Sequence, residues 1–398
     1  MQAVILVAGK STRTYPLTLT RPKPLLPVAN VTIVEHILEQ LKGLVDEVVL
    51  LVGYRKEMIE NFIGSEWEGM KISYCEQKEQ LGTGHAVLQT EPFIKDRFIV
   101  LNGDDIYAYQ DVKALMKYEY GALVRWEEDP SAYGVFEVDD KNRVLNLVEK
   151  PKKFIGNLTN VGAYMFDKSI FDFIKKTPIS ERGEIEITSS ILMFSKEKTF
   201  YTHKLQGFWL SNGYPWELLA TQEYFLKQQK ESQISGVVEK NAQLNGSVLV
   251  GEGTQIKSGA YIEGPVVIGK NCQIGPNCFI RSNTAISDNC RIGQGVEIKN
   301  SIIMNDTNIC HLSYVGDSII GENVNLGAGF TVANVRHDKK NVLSSVKGNL
   351  VDTGLLKFGV VIADNVKTGI NTSIYPGRKI WPGLQTKVGE IVIKDVNE

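Results

Sequence analysis

The sequence predicts an α/β domain with a mostly parallel sheet, followed by a parallel β-helix built on a six-residue repeat. Three observations carry this expectation. Strand-like and helix-like apolar stretches alternate from the start of the chain to about residue 120. Aliphatic residues then recur at a fixed period of six from Val238 onward. Between the two regimes lies a polar stretch, KQQKESQ, which marks a junction near residue 230 and sets expected domains of 1–230 and 231–398.

In the first region, Ala3 to Val7 reads as a buried strand ending in a glycine-containing loop, Gly9 to Arg13. Ile33 to Leu44 is expected to be helical, Val48 to Gly53 a strand, and Lys56 to Ile63 a helix. Ile72 to Cys75 and Phe98 to Leu101 read as strands, with a helix opening at Gly84 between them. In such a sheet the binding loops belong at the carboxyl ends of the strands. Gly9, Gln77 to Thr83, and Asp104 each follow a predicted strand and are therefore expected on one rim. Beyond residue 120 the mixed pattern suggests strands added over the site, and Trp216 to Lys230 reads as an amphipathic helix.

The repeat places Val238, Leu244, Val250, Ile256, Ile262, Ile268, Ile274, Ile280, Ile286, Ile292, Ile298 and Met304 at an unbroken spacing of six. The chain is 43% hydrophobic, so chance would fill about five of those twelve slots with apolar residues. All twelve are aliphatic. Three short strands and three corners per turn bring every sixth side chain into a triangular prism, with successive coils paired at strand spacing. Gly251, Gly269, Gly275 and Gly293 follow the aliphatic slot and are expected at corners that need φ > 0. The period stumbles after Met304, where CHLSYVGDS follows. It resumes at Ile320, Leu326 and Val332, and again at Ile362, Thr368, Ile374 and Ile380. The interruption from Arg336 to Lys357 reads as an excursion loop.

A net charge of −2 argues against a dominant nucleic-acid surface. Cys75, Cys272, Cys278, Cys290 and Cys310 show no zinc-type pairing; three of them occupy the small-residue slot of the repeat and are expected to be buried packing residues. MQAVILVAG runs straight into the glycine loop without a leader pattern, and no apolar run approaches ~18 residues. A cytoplasmic protein with no membrane partner is expected.

Gly9-Lys10-Ser11-Thr12 invites a P-loop reading, but the glycine required five residues before the GK pair is Val4. What remains is a tight turn whose backbone N–H groups can hold phosphate oxygens, with Arg13 and Lys23 supplying charge. The longer stretch AGKSTRTYPLTLTRPKPLLPVAN resembles the signature of sugar-1-phosphate nucleotidylyltransferases. QKEQLGTGHA, VLNGDD, YGVF, VEKP and TNVGAYMF match it in the same order, and the repeats resemble an acetyltransferase half. The whole chain is similar to enzymes that join glucosamine-1-phosphate N-acetylation to GlcNAc-1-phosphate uridylyltransfer, with a layout closest to the archaeal members.

That resemblance implies a Rossmann-like nucleotidyltransferase domain, a left-handed coil and assembly as a homotrimer through the β-helix. It places Gly9, Ser11, Thr12, Gln77, Gly82 and Thr83 at the nucleotide, with Arg13 and Lys23 on the triphosphate and the developing charge. Gly134, Glu149 and Asn160 would contact the sugar, and Asp104 would hold Mg²⁺. Two positions depart from the pattern. Ser11 stands where the family usually has glycine, and Ser211 stands where the archaeal Trp-x-Asp-x-Gly-x-Pro motif has Asp, leaving Ser211 or Asn212 as the second metal ligand. His85 reads as a packing or capping residue at a helix start and is given no catalytic role.

For acetyl transfer, a neutral amine must lose a proton as it attacks a thioester, and imidazole suits that task near neutrality. His311 is the residue assigned to it. The resemblance carries Arg281, Lys299, Tyr314, Asn325 and Lys340 over as contacts to the amino-sugar phosphate. Asn334 would orient the acetyl-CoA or the substrate, with Ala328 near the cofactor. Val335 replaces an aromatic of bacterial relatives. The function expected is acetyl transfer from acetyl-CoA to glucosamine-1-phosphate, then uridylyl transfer from UTP with release of pyrophosphate. Two other readings stand beside it: a nucleotidylyltransferase for another sugar phosphate, such as glucose-1-phosphate with UTP or dTTP, and a non-catalytic regulatory or scaffold subunit.

Overall fold

The structure is a computed structural model that describes residues 1–398. By backbone packing the chain forms two compact units, Met1–Lys10 with Ile33–Ser211, and Ser11–Thr32 with Asn212–Glu398. The first unit is an α/β fold. Gln2–Leu6 lies at the centre of its sheet, parallel to Glu47–Val52 on one side and to Phe98–Asn102 on the other. Met70–Glu76 continues the parallel set, and Leu158–Phe166 runs antiparallel against Phe98–Asn102. Because the first two connections leave Gln2–Leu6 in one direction and the strand Phe98–Asn102 joins its other edge, the chain reverses its strand order beside Gln2–Leu6. Loops at the carboxyl ends of strands open a crevice at such a reversal. The three inner parallel strands are largely apolar on both faces, and Val4, Val49, Val100 and Phe98 are fully buried.

The second unit is built on the repeat. Three sheets of eight, six and eight parallel strands form its faces, and strand neighbours in each sheet are one coil apart in the chain, as in Val248–Val250 beside Val266–Ile268. The architecture is that of a left-handed β-helix, as the hexapeptide period implies. Ile256, Ile262, Ile268, Ile274, Ile280, Ile286, Ile292 and Ile298 fill the interior with almost no exposure. The next interior residue is Ile303 rather than Met304, so the step shortens to five one step before the expected stumble. A second five-residue step separates Val315 from Ile320. The two short steps lie at neighbouring corners, Asn300 and Asp317, both in the left-handed region.

Only one of the four glycines expected at left-handed corners is there. Gly251, Gly269 and Gly293 are not in the left-handed region, whereas Gly275 is, at φ 94°. Most left-handed corners are instead taken by Asn, at Asn271, Asn277, Asn283 and Asn289, whose short amide tolerates that backbone. Gly251 and Gly293 are required by close stacking: a Cβ at Gly251 would meet the Gly269 carbonyl at 2.6 Å, and one at Gly293 would meet the Cys310 carbonyl carbon at 2.7 Å. Cys272, Cys278 and Cys290 are buried free thiols, as expected. The excursion closes where the Phe358 N–H donates to the Asn334 carbonyl, and it carries an antiparallel hairpin, Leu343–Val346 with Asn349–Asp352.

The helix Pro215–Gln228 and the segment Ser11–Thr32 belong to this unit because they pack on the coil. Leu226 and Ala29 cluster with Val267 and Ala285 of the first face. Gln222 Nε2 donates to the carbonyls of Asn283 and Ser301, at 2.9 and 3.0 Å.

Candidate active sites

In the first unit, the expected rim residues all fall at carboxyl ends of parallel strands. Gly9 follows Gln2–Leu6, Gln77 follows Met70–Glu76, and Asp104 follows Phe98–Asn102. Gln80 Nε2 donates to the Ala8 carbonyl at 2.9 Å, tying the loop after residue 77 to the end of the central strand. Gly82 has φ 106°, and a Cβ there would meet the Ile185 carbonyl oxygen at 2.6 Å, so no other residue fits. Thr83 Oγ1 accepts the Ile187 N–H at 3.1 Å, and the buried Gln77 amide contacts His85 Nδ1 at 3.2 Å. His85 also meets Gln89 at 3.1 Å; the ring braces the helix Thr83–Gln89.

The three expected sugar contacts converge. Gly134 and Glu149 are register partners in adjacent antiparallel strands. A Cβ on Gly134 would lie 3.0 Å from Glu149 Oε2 and 3.4 Å from the Asn160 Cβ. Asn160 Nδ2 donates to the Tyr164 hydroxyl at 2.7 Å, and its Oδ1 accepts the Gly162 N–H at 3.1 Å. Burial, then the Glu186 charge, holds the Glu149 carboxyl above its ordinary pKa. Glu186 escaped the reading of the sequence because it lies outside the motifs, at the start of the helix Ile187–Ser195.

Asp104 stands next to Asp105, whose strand pairs with Ser211 across Asp105–Tyr107 and Trp209–Ser211. Asn212 is fully buried, and its Oδ1 accepts the Thr221 hydroxyl at 2.8 Å, so that oxygen is already engaged. No three His, Cys, Asp or Glu side chains cluster as a metal cage. A single carboxylate such as Asp104 suits a hard ion that would take most of its ligands from substrate and water.

In the second unit, Ser11 is in the left-handed region, at φ 50° and ψ 49°, which explains the preference for glycine there. Its carbonyl accepts the hydroxyls of Thr14 and Thr18 at 2.7 and 2.9 Å. The Thr12–Thr14 turn leaves Arg13 exposed, with its guanidinium 5.1 Å from the centre of the Tyr214 ring, while Lys23 is buried. Glu217, which the motif reading missed, accepts the Tyr214 N–H at 2.9 Å. Burial raises its pKa, against hydrogen bonds from Tyr214 and Gly213 and the charges of Arg13 and Lys23.

On the coil, Phe279, Glu297, Tyr314 and Thr331 stack in register along the third face, and Lys299 stacks on Gly316. Arg281 Nη1 reaches Glu297 Oε1 at 2.9 Å, and Lys299 Nζ lies 3.5 Å from Asp317 Oδ2. Asn334 Nδ2 donates to the Tyr314 hydroxyl at 3.2 Å. Burial, then the charges of Asp317 and Glu297, raises the Tyr314 phenol above its ordinary pKa and keeps it protonated. Arg281, Lys299, Tyr314 and Asn334 are thus gathered around two acids, Glu297 and Asp317, that the sequence did not single out. His311 ends the second-face strand Asn308–His311 and is exposed; only the Leu312 corner and Ser313 separate it from Tyr314. Asn325 is on the second face, stacked on Asn308, and Ala328 lies at the next corner. Lys340 stands exposed on the excursion, its N–H donated to Asp338, and no hydrogen bond or ion pair joins it to the others.

Residues 2–228 match the nucleotidyl transferase family model, and residues 262–387 match the GMPPB C-terminal domain. A relative from Methanocaldococcus jannaschii, "Bifunctional protein GlmU", is 43% identical over 396 residues, covering 100% of this chain and 96% of the relative. "Bifunctional sugar-1-phosphate nucleotidylyltransferase/acetyltransferase" from Sulfurisphaera tokodaii is 37% identical over 401 residues, covering 100% and 98%. A solved UDP-glucose pyrophosphorylase complexed with UDP-glucose has a TM-score of 0.53 at 23% identity, covering 57% of this chain and 98% of that one, a likeness of fold. No helix is long and apolar enough to cross a membrane.

Proposed function

Since this chain belongs to the family of bifunctional sugar-1-phosphate nucleotidylyltransferases and acetyltransferases, we propose that it carries out both steps of UDP-GlcNAc synthesis. Its functional domains are 1–230 and 231–398. In the first step the amine of glucosamine-1-phosphate attacks the thioester carbonyl of acetyl-CoA. A C–N bond forms, the C–S bond breaks, and the amine proton passes to His311, which returns it to the departing thiolate so that free CoA thiol leaves. Arg281, Lys299 and Lys340 balance the phosphate charge, Tyr314 and Asn325 hold the sugar, and Asn334 and Ala328 border the acetyl group. The observation that carries this step is the gathering of Arg281, Lys299, Tyr314 and Asn334 on one coil face.

In the second step a phosphate oxygen of GlcNAc-1-phosphate attacks the α-phosphorus of UTP and pyrophosphate leaves. No protein nucleophile is required; orientation and charge neutralisation supply the rate. Gly9, Ser11 and Thr12 present backbone N–H groups to the phosphates, and Arg13 and Lys23 neutralise charge. Gln77, Gly82 and Thr83 hold the base, and Gly134, Glu149 and Asn160 hold the sugar. Mg²⁺ held by Asp104, with the Ser211 hydroxyl as its second protein neighbour in preference to the engaged Asn212 amide, would neutralise the triphosphate. A homotrimer through the coil is supported by exposed Ile370, Tyr375, Val388, Ile391 and Ile393 near its end. A full-length relative named for both nucleotidylyl and acetyl transfer favours the two-step reading over an inert scaffold.

Substrate competition tests the reading. With glucosamine-, galactosamine- and glucose-1-phosphate supplied together to the intact chain, thiol release should follow the amino sugars. Pyrophosphate release should need Mg²⁺ and be fastest with UTP and the N-acetylated product. Pyrophosphate release from glucose-1-phosphate alone, with no thiol release from any sugar, would overturn it.

A further inference from the structure

Asp317 sits at one of the two shortened corners of the coil, with φ 53° and 3% of its surface exposed. Several other left-handed corners carry a neutral amide, at Asn300, Asn323, Asn365 and Asn371, and the one at Asp306 carries a second Asp. A carboxylate nearly out of water costs free energy unless its lone pairs are satisfied. Here they are: Oδ1 accepts Asn300 Nδ2 at 2.8 Å, Oδ2 accepts Asn334 Nδ2 at 2.5 Å, and Lys299 Nζ lies 3.5 Å away.

These partners settle an orientation. An ionised carboxylate only accepts hydrogen bonds, so the edge of the Asn334 amide that faces it must be the NH₂. The same nitrogen also donates to the Tyr314 hydroxyl. Both donors of Asn334 are then used, and its Oδ1, which has no hydrogen bond within the chain, is turned the other way. Gly316 lets this happen, since a Cβ there would lie 2.5 Å from the Tyr314 hydroxyl and 2.9 Å from Asn334 Nδ2.

We propose that Asp317 is a positioning residue for acetyl transfer, locking the Asn334 amide so that its Oδ1 accepts an N–H of the amino-sugar amine. The proposal rests on the acetyl-transfer reading above. As the C–N bond forms and the C–S bond breaks, one amine proton goes to the base. A second N–H held by Asn334 Oδ1 aims the nitrogen lone pair at the thioester carbon.

Asp317→Asn keeps the shape of the side chain and a residue type this coil already accepts at its corners. It also offers an N–H as well as a C=O, so Asn334 can turn either way. With acetyl-CoA and glucosamine-1-phosphate, kcat for thiol release should fall about 10- to 100-fold, with KM for the sugar phosphate changed by less than about threefold. The melting midpoint should shift by only a few degrees. Added to Asn334→Ala, Asp317→Asn should cause no further loss, because both act through one amide. Full kcat in Asp317→Asn, or losses that multiply in the double variant, would overturn the proposal alone. A wild-type chain that releases no thiol with any amino-sugar phosphate would overturn the acetyl reading and the proposal together.

Discussion

Arg21 Nη2 donates to Asp364 Oδ2 at 2.6 Å, joining residues 343 apart in the chain inside the second unit. Its Nη1 pairs with Glu322 at 2.5 Å, and Thr20 Oγ1 also reaches Asp364 Oδ2, at 2.6 Å. The segment that carries Arg13 and Lys23 is therefore clamped to the coil by a mostly buried ion pair. Removing one partner of such a pair leaves an uncompensated charge and costs about 3–5 kcal/mol. Arg21→Ala should destabilise the second unit by about that amount in urea unfolding, and it should slow pyrophosphate release through the loosened Arg13 and Lys23. Unchanged stability and turnover would show that the clamp is incidental.

A second tether responds to pH. Lys379 is 1% exposed, and its Nζ donates to the Tyr15 carbonyl at 2.8 Å. Burial lowers its pKa from 10.5 to about 8, only partly opposed by Asp395. The unfolded chain therefore binds more protons than the folded one between about pH 8 and pH 10.5, so this group makes stability rise with pH across that window. Below pH 8 the full cost of burying the charge is present. From pH 7.5 to 9.5 wild type should gain on the order of 2 kcal/mol relative to Lys379→Met. Parallel curves for the two proteins in urea melts at both pH values would contradict this.

Ser11 should be the simplest site to improve. Its left-handed backbone costs an L-residue about 1–2 kcal/mol that glycine does not incur. Offsetting this, glycine adds freedom to the unfolded chain. Ser11→Gly should thus stabilise by up to about 1 kcal/mol and leave pyrophosphate release equal or faster. Slower release would assign the Ser11 hydroxyl a direct role at the phosphates.

Gly134→Ala tests the sugar cluster. A methyl group 3.0 Å from Glu149 Oε2 and 3.2 Å from Thr188 Cγ2 must push one of them aside. KM for the sugar phosphate in uridylyl transfer should rise about tenfold or more with acetyl transfer untouched, measured by separate pyrophosphate and thiol assays. An unchanged KM would place sugar recognition elsewhere.

The period of six made the coil legible because one interior column needs one residue type at a fixed interval. Its slip did not show, because Ile302, Ile303 and Met304 are all aliphatic and a six-residue count meets an apolar side chain either way. Glycine misled in a similar manner: Gly251 and Gly293 serve close stacking, and only backbone geometry distinguishes that need from a positive φ. Motif residues such as Gly134, Glu149 and Asn160 were readable because their order in the chain is distinctive. Asp317 and Glu297 were not, since a corner or strand acid looks like a solvated charge until its neighbours are known. The packing of Ser11–Thr32 on the coil depends on pairs such as Arg21 with Asp364, which no local pattern records.

The claim that one chain performs two separable transfers is tested most directly by assaying His311→Ala and Arg13→Ala side by side. His311→Ala should abolish thiol release from acetyl-CoA yet still release pyrophosphate when GlcNAc-1-phosphate and UTP are supplied. Arg13→Ala should do the reverse. Loss of both activities in either variant, or of neither, would contradict the account.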